Sequence, residues 1–205
     1  MLKDDAGLFP QHQKERCGQE EKIQRGTAVR FLVASDLHGD SYWTERVLQA
    51  FNDEKADKLV LLGDILYHGP RNDLPAHYEP KKVITLLNEM ATKILAVRGN
   101  CDTEVDQMVL KFPILSDYIY LVSGETTFFA THGHNAGPEK LPVFLPEGAV
   151  LLAGHTHVVC DKEITSPDTG ARFRHMNPGS PSIPKEGSTP SYILIEDGNA
   201  VIKPL

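Results

Sequence analysis

Residues 29–39 read Val29-Arg30-Phe31-Leu32-Val33-Ala34-Ser35-Asp36-Leu37-His38-Gly39. The mostly apolar first six read as a buried strand. Asp36 and His38 follow, two residues apart. In extended backbone such residues project to the same side, so a carboxylate oxygen and an imidazole nitrogen can reach one cation. Asp-x-His alone is a weak signal. Four further stretches of the same kind turn it into a strong one.

The frame around this stretch is a chain of 205 residues, 40% hydrophobic and 24% charged, which suits one globular domain with a sizeable core. No apolar run approaches the roughly 18 residues of a membrane helix. The start, Met1-Leu2-Lys3-Asp4-Asp5, carries acid where a signal peptide needs a basic and then an apolar segment, so a cytoplasmic location is expected. The net charge of −7 argues against a general nucleic-acid or membrane surface. Any phosphate must be met by a local positive source. Three scattered cysteines, Cys17, Cys101 and Cys160, offer neither a disulfide framework nor a Cys-x-x-Cys metal motif.

Residues 1–28 are polar and contain five basic and five acidic residues, the pattern of a flexible or peripheral extension. Leu8, Phe9 and Ile23 could dock, at no place the sequence names. From residue 29 strand and helix patterns alternate. Strands are expected at 29–34, 59–62 and 94–97. A helix is expected at 41–52, capped by Ser41, with Trp43, Val47, Leu48 and Phe51 on one side. A second begins at Pro80, with Val83, Leu86, Leu87 and Met90 as its stripe. Residues 63–79 form a long irregular connection, a length that often marks function. These βαβ units predict a parallel sheet. After a short helix at 104–110 the chain turns β-rich, with strands at 119–123, 126–131, 150–153, 158–165, 172–176 and 192–196. This half must pack as a second layer on the first.

Four polar stretches follow strand-like runs as Asp36-x-His38 does: Gly63-Asp64, Arg98-Gly99-Asn100-Cys101-Asp102, Thr131-His132-Gly133-His134 and Gly154-His155-Thr156-His157. Ligands in α/β sheets gather at the carboxyl ends of strands, so all five can share one crevice. Carboxylates, imidazoles and one amide suit borderline divalent ions. His132, His155 and His157 argue against a site for Mg²⁺ alone, and the lack of paired cysteines argues against structural zinc. The ligands are too many for one tetrahedral ion. Two ions sharing a bridging carboxylate would use them all.

In order and spacing these motifs resemble the calcineurin-like metallophosphoesterases. With Asn72-x-Leu74-Pro75 and Asn177-Pro178-Gly179-Ser180 they look most like the small bacterial YfcE-type phosphodiesterase subfamily. The resemblance covers residues 29–205. It implies a four-layer α/β/β/α sandwich with mixed sheets, a dinuclear site at its rim and a phosphodiesterase acting on small phosphodiesters. Two divalent ions are implied, manganese first, with Fe²⁺, Zn²⁺ or Ni²⁺ as alternatives. Asp36, His38, Asp64 and His157 would hold one ion. Asp64, Asn100, His132 and His155 would hold the other. A hydroxide between the ions would attack phosphorus. Small relatives often self-associate, so a homo-oligomer is also implied.

Many relatives carry a histidine that protonates the leaving group where this chain has Cys101. A free thiol, with a pKa of about 8.5, is a poorer acid–base catalyst near neutrality. His134 is the other candidate donor, and good leaving groups are the safer expectation. Cys101 lines the site or fills space. Asp102 either orients a neighbour or caps the next helix. Arg71 and Arg98 are candidate phosphate contacts, against a reading as ordinary exposed arginines. The 177–180 turn reads as support for the site. His12, His68, His77 and His175 read as surface residues. Two other functions fit the same pattern: a phosphomonoesterase on the same metals, and a non-catalytic binding scaffold of the Vps29 kind, which has no need of a complete ligand set.

Overall fold

The structure, a computed structural model, describes residues 29–205, so expectations for residues 1–28 lie outside the described residues. Strand β1 (Phe31–Ala34), helix α1 (Ser41–Asp53), β2 (Lys58–Leu61), helix α2 (Pro80–Glu89) and β3 (Ile94–Ala96) follow in the expected alternation. Then come α3 (Glu104–Val109), β4 (Tyr118–Ser123), β5 (Thr126–Thr131), β6 (Val150–Ala153), β7 (Val159–Thr165), β8 (Arg172–Pro178), β9 (Ser191–Glu196) and β10 (Asn199–Pro204).

Two five-stranded sheets result, in the orders β10-β9-β1-β2-β3 and β4-β5-β6-β8-β7. In the first, β1, β2 and β3 run parallel and β9 returns antiparallel beside β1. The second is also mixed: β5, β6 and β8 are parallel, flanked by antiparallel β4 and β7. Its parallel centre forms without helical crossovers.

Strand alternation sorts the core into layers. Leu32, Ala34, Leu59 and Leu61 face Val47 and Phe51 of α1 and Val83 and Leu87 of α2. Val33, Val60 and Leu62 face the other way, against Phe128, Ala130, Leu152 and Met176 of the second sheet. The outer face of that sheet buries Phe129, Leu151 and Phe173 under Leu141 and Leu145. The fourth layer of the sandwich is therefore irregular chain around 134–149, where a helix would be the common solution. Among the described residues no helix is long and apolar enough to cross a membrane.

Three local details depart from the sequence reading. Helix α1 is capped by Asp40, whose Oδ1 accepts from Trp43 N at 2.9 Å. Ser41 is already helical and its hydroxyl donates to Glu79 instead. Strand β10 was not expected; it pairs with β9 along the whole of its length at the sheet edge. His175 is 4% exposed, a buried residue of β8.

Candidate metal centre

The candidate ligands occupy the loops leaving β1, β2, β3, β5 and β6, where both sheets end at one rim. Backbone bonds stitch these loops together. Asp36 N donates to Gly63 O and His38 N to Asp64 O, at 3.1 and 2.9 Å. Gly154 N donates to His132 O at 2.8 Å. The tightness of the turns falls on the candidate ligands themselves. Asp36, His38, Asp64, His155 and His157 all have left-handed backbone, with φ between 48 and 69°. Such conformations are uncommon outside glycine and collect at sites the surrounding structure over-determines. Two glycines serve close approach. A Cβ on Gly99 would overlap the Asp64 carboxylate, and one on Gly154 would lie 2.6 Å from Asp36 Oδ2 and collide with Ser35 Oγ.

Asp36 uses one oxygen for the fold. Its Oδ2 accepts from Ser35 Oγ at 2.6 Å and from His155 N at 3.0 Å. Its Oδ1 is buried with no hydrogen-bond partner, 3.3 Å from His157 Nε2 and 3.7 Å from His38 Nε2. Asp64 is split in the same way. Oδ1 accepts from Cys101 N at 2.8 Å, while Oδ2 lies 3.8 Å from His38 Nε2 and 3.6 Å from His132 Nε2. Burial alone would raise the Asp36 carboxyl. The surrounding histidines His132, His157 and His38 win and hold it well below the usual range. Burial likewise opposes charge on His38, but the Asp36 carboxylate overrides it and raises the imidazole.

The ring orientations identify what belongs between these atoms. His38 Nδ1 lies 2.7 Å from Tyr67 O, His132 Nδ1 2.7 Å from Leu62 O, and His157 Nδ1 3.0 Å from Ile183 O. A carbonyl only accepts, so each Nδ1 carries a proton, and a ring with no second proton presents a lone pair at Nε2. His38 and His157 then face each other, Nε2 to Nε2, at 3.2 Å. His132 Nε2 faces the Asn100 amide oxygen at 3.0 Å. Acceptors this close need a proton or a metal ion to hold them. Three clusters, Asp36–His38–His157, Asp36–Asp64–His132 and His38–Asp64–Cys101, have ligand atoms within 4.8 Å of one another. Asp36, whose Oδ1 is orphaned, belongs to two of the three clusters, and these donors fit divalent cations.

The other candidates take distinct places. His155 is half-buried and belongs to none of those clusters; its ring packs 5.1 Å from that of His132, and burial lowers its pKa. His134 is exposed at the surface, its ring 5.3 Å from that of His132 and 6.2 Å from that of His155, and partial desolvation of the ring, with His132 beside it, lowers its pKa. Cys101 is buried, and burial with the Asp64 charge pushes its thiol far above the ordinary range. The Asp102 carboxylate accepts from the backbone of Asp64, Ile65 and Gly99 at 2.7–2.9 Å, which orients the Asp64 loop. Helix α3 is capped by Thr103 instead, reciprocally with Asp106. Arg98 pairs with Glu104 at 3.5 Å.

In the supporting turn, Asn177 Nδ2 donates to Gly154 O at 2.9 Å and Ser180 Oγ to Asp36 O at 2.7 Å. Sequence reasoning gave no role to the histidine-orienting carbonyls of Leu62, Tyr67 and Ile183, because a backbone oxygen has no residue signature. It also gave no site role to Lys185, nor to Asn72 and Thr156, which it quoted only within motifs. These three, with Arg71, line an open cleft of about 390 Å³ beside Asp64, Asn100, His155 and His157.

Residues 29–199 match the family model described as the calcineurin-like phosphoesterase superfamily domain. Phosphodiesterase YfcE of Escherichia coli K12 is 48% identical over 169 residues, which span 82% of this chain and 88% of the relative. A solved structure of E. coli YfcE, described as a phosphoesterase, aligns with a TM-score of 0.75 at 47% identity, over 82% of this chain and 89% of that one. Phosphodiesterase MJ0936 of Methanocaldococcus jannaschii is 23% identical over 135 residues, 63% of this chain and 74% of the relative. With its histidine lone pairs converging on two buried carboxylates, this chain belongs to the calcineurin-like phosphoesterase superfamily.

Proposed function

We propose that the protein is a dinuclear metal-dependent phosphodiesterase that hydrolyses small phosphodiesters, with residues 29–205 as the functional unit. The observation that carries the reading is the position of Asp64 Oδ2, flanked by His38 Nε2 and His132 Nε2 at 3.8 and 3.6 Å, where one carboxylate could serve two ions. Asp36, His38, Asp64 and His157 would hold the first. Asp64, Asn100, His132 and His155 would hold the second. Bound divalent ions supply positive charge to phosphate oxygens and lower the pKa of water from 15.7 towards about 7.

The chain supplies the positioning. Carbonyls fix each imidazole so that Nε2 points inward, and Asp102 fixes the loop that carries Asp64. Arg71 and Lys185 bring positive charge to the cleft wall. His134 flanks the His132 side, and its lowered pKa disfavours the protonated form that a general acid needs. The Cys101 thiol, pushed upward by burial, holds its proton. The site is therefore suited to diesters whose leaving group departs without strong general-acid help.

A paired assay tests this. The protein is loaded with manganese, then with iron, zinc or nickel, and offered bis(p-nitrophenyl) phosphate and p-nitrophenyl phosphate. The diester should turn over faster, and chelation should stop the reaction. Comparable or faster monoester turnover would favour a phosphomonoesterase. Asp64→Ala should abolish activity and leave the circular dichroism spectrum intact; retained turnover would remove the bridging role. Elemental analysis of the purified protein identifies the metal.

A further inference from the structure

Two cations in the cleft take no part in holding the metal centre. Arg71 and Lys185 line the same 390 Å³ space as Asp64, Asn100 and His157. Ion pairs among the described lysines and arginines engage Arg30, Lys82, Arg98, Arg174 and Lys203, and neither of these two. The rest of the wall beyond the ligands is Asn72 and Thr156, neutral and polar. In a protein of net charge −7, two cations with no ion pair among the described residues share one cleft with the candidate ligands.

Their placement is tied to the centre. Tyr67 O, four residues before Arg71, accepts from His38 Nδ1 at 2.7 Å, and Asn72 Nδ2 closes the same loop onto His68 O at 2.8 Å. Lys185 N donates to His157 O at 3.1 Å. Lys185 O accepts from Ser188 N at 2.9 Å across a turn whose central residues, Glu186 and Gly187, have φ of 52 and 72°. That is a type I′ pattern, with glycine in the second position and a glutamate in the first, where Asn, Asp or Gly is usual. Each cation thus rides on a loop that also fixes one ligand histidine, His38 or His157.

Charge counting shows what the two cations are for, given the dinuclear phosphodiesterase reading above. Two dications bring four positive charges, and Asp36 and Asp64 offset two. A hydroxide and a diester monoanion offset the other two. The ligand set is then neutral with a simple diester bound; the Asp102 carboxylate behind it is met by three backbone N–H groups, which leaves Arg71 and Lys185 for the rest of the substrate. The cleft volume falls in the roughly 300–1,000 Å³ range of small-molecule sites, which is more room than one phosphoryl group fills. We propose that the substrate is a phosphodiester bearing a second phosphoryl group, and that Arg71 and Lys185 form the subsite that binds it, on the His38–His157 side of the centre.

The test uses two compounds with the same scissile group and leaving group: thymidine 5′-(p-nitrophenyl phosphate) and its 3′-phosphorylated counterpart. The manganese-loaded protein should prefer the second by about tenfold in kcat/KM, through KM, the size of one charge-assisted contact. The double variant R71Q/K185Q should reduce that preference to less than about twofold. Equal KM values in the natural protein would overturn the proposal. So would a double variant that slows both compounds by the same factor, which would place the cations on the scissile phosphate. A calorimetric arm reads the subsite without turnover. Thymidine 3′,5′-bisphosphate should bind about tenfold more tightly than thymidine 5′-monophosphate, with and without chelator, and R71Q/K185Q should erase the difference. If neither nitrophenyl compound is hydrolysed, the phosphodiesterase reading falls, while the binding comparison still decides the subsite.

Discussion

Cys101 meets the centre through its backbone N–H as well as through its thiol, whose sulfur and the ligand atoms of His38 and Asp64 lie within 4.8 Å of one another. Its N–H donates to Asp64 Oδ1 at 2.8 Å, a bond any residue but proline can make. The thiol lies 3.2 Å from Asn100 Nδ2 and keeps its proton because burial and Asp64 both oppose the thiolate. Cys101→Ser should therefore keep kcat/KM for an aryl diester within about fivefold, with no change in metal content; a loss of two orders of magnitude would make the thiol a participant. His175 behaves differently, through stability. Burial lowers its pKa to about 4 from an ordinary value near 6.5. Its folded form resists protonation, so the stability present above pH 6.5 is lost as pH falls towards 4, by up to roughly 3 kcal/mol at the acid end. Denaturant curves for the natural protein and His175→Asn at several pH values should diverge across this window, the variant having the flatter profile. Parallel profiles would mean that His175 stays solvated.

Whole loops carry the next level of order, and glycine sets how close they come. Gly99 has no side chain because the Asp64 carboxylate and backbone fill that space. Gly99→Ala must push the β2 and β3 loops apart, and with them Asp64 from His132. The expected result is at least a hundredfold loss of activity with about 1–3 kcal/mol of stability, read by assay and urea denaturation. An active variant would mean that the loops tolerate separation. The strands that aim these loops were legible because β1, β2, β5 and β6 are short apolar runs ended by polar ligand motifs. Helix α2 was legible from Pro80 and its stripe. Helix α1 was placed, but its cap was not, because Asp40 and Ser41 are adjacent capping residues and only the fold shows that Glu79 takes the Ser41 hydroxyl. Strand β10 was hidden by a weak pattern: Val201 is 48% exposed and Lys203-Pro204 ends the segment. His175 had a readable signal. Arg172 and Arg174 alternate with Phe173 and His175, which puts His175 on the face of buried Phe173.

At the scale of the whole molecule, the sequence showed which side chains meet and left out what the meeting costs. Motif order brought Asp36, His38, Asp64, His132 and His157 to one rim, and the structure adds five candidate ligand residues in left-handed backbone and a buried carboxylate oxygen without a partner. Neither feature has a residue signature, since both arise only when distant loops are pressed together. Both destabilise the metal-free fold, by about 1–3 kcal/mol for each strained or unsatisfied group. A cation that binds only the folded protein offsets this by about 2.7 kcal/mol at a free concentration a hundred times its Kd. For a domain of this size 1 kcal/mol moves Tm by roughly 2–4 °C. Chelation should therefore lower Tm by about 5–10 °C for each ion removed, and manganese should restore it. Asp64→Ala, which lacks the shared carboxylate, should show less than about half of the manganese response. A Tm indifferent to chelator in the natural protein would mean that the histidine lone pairs are held by protons alone, and that the sandwich is rigid enough to keep its rim in place without metal.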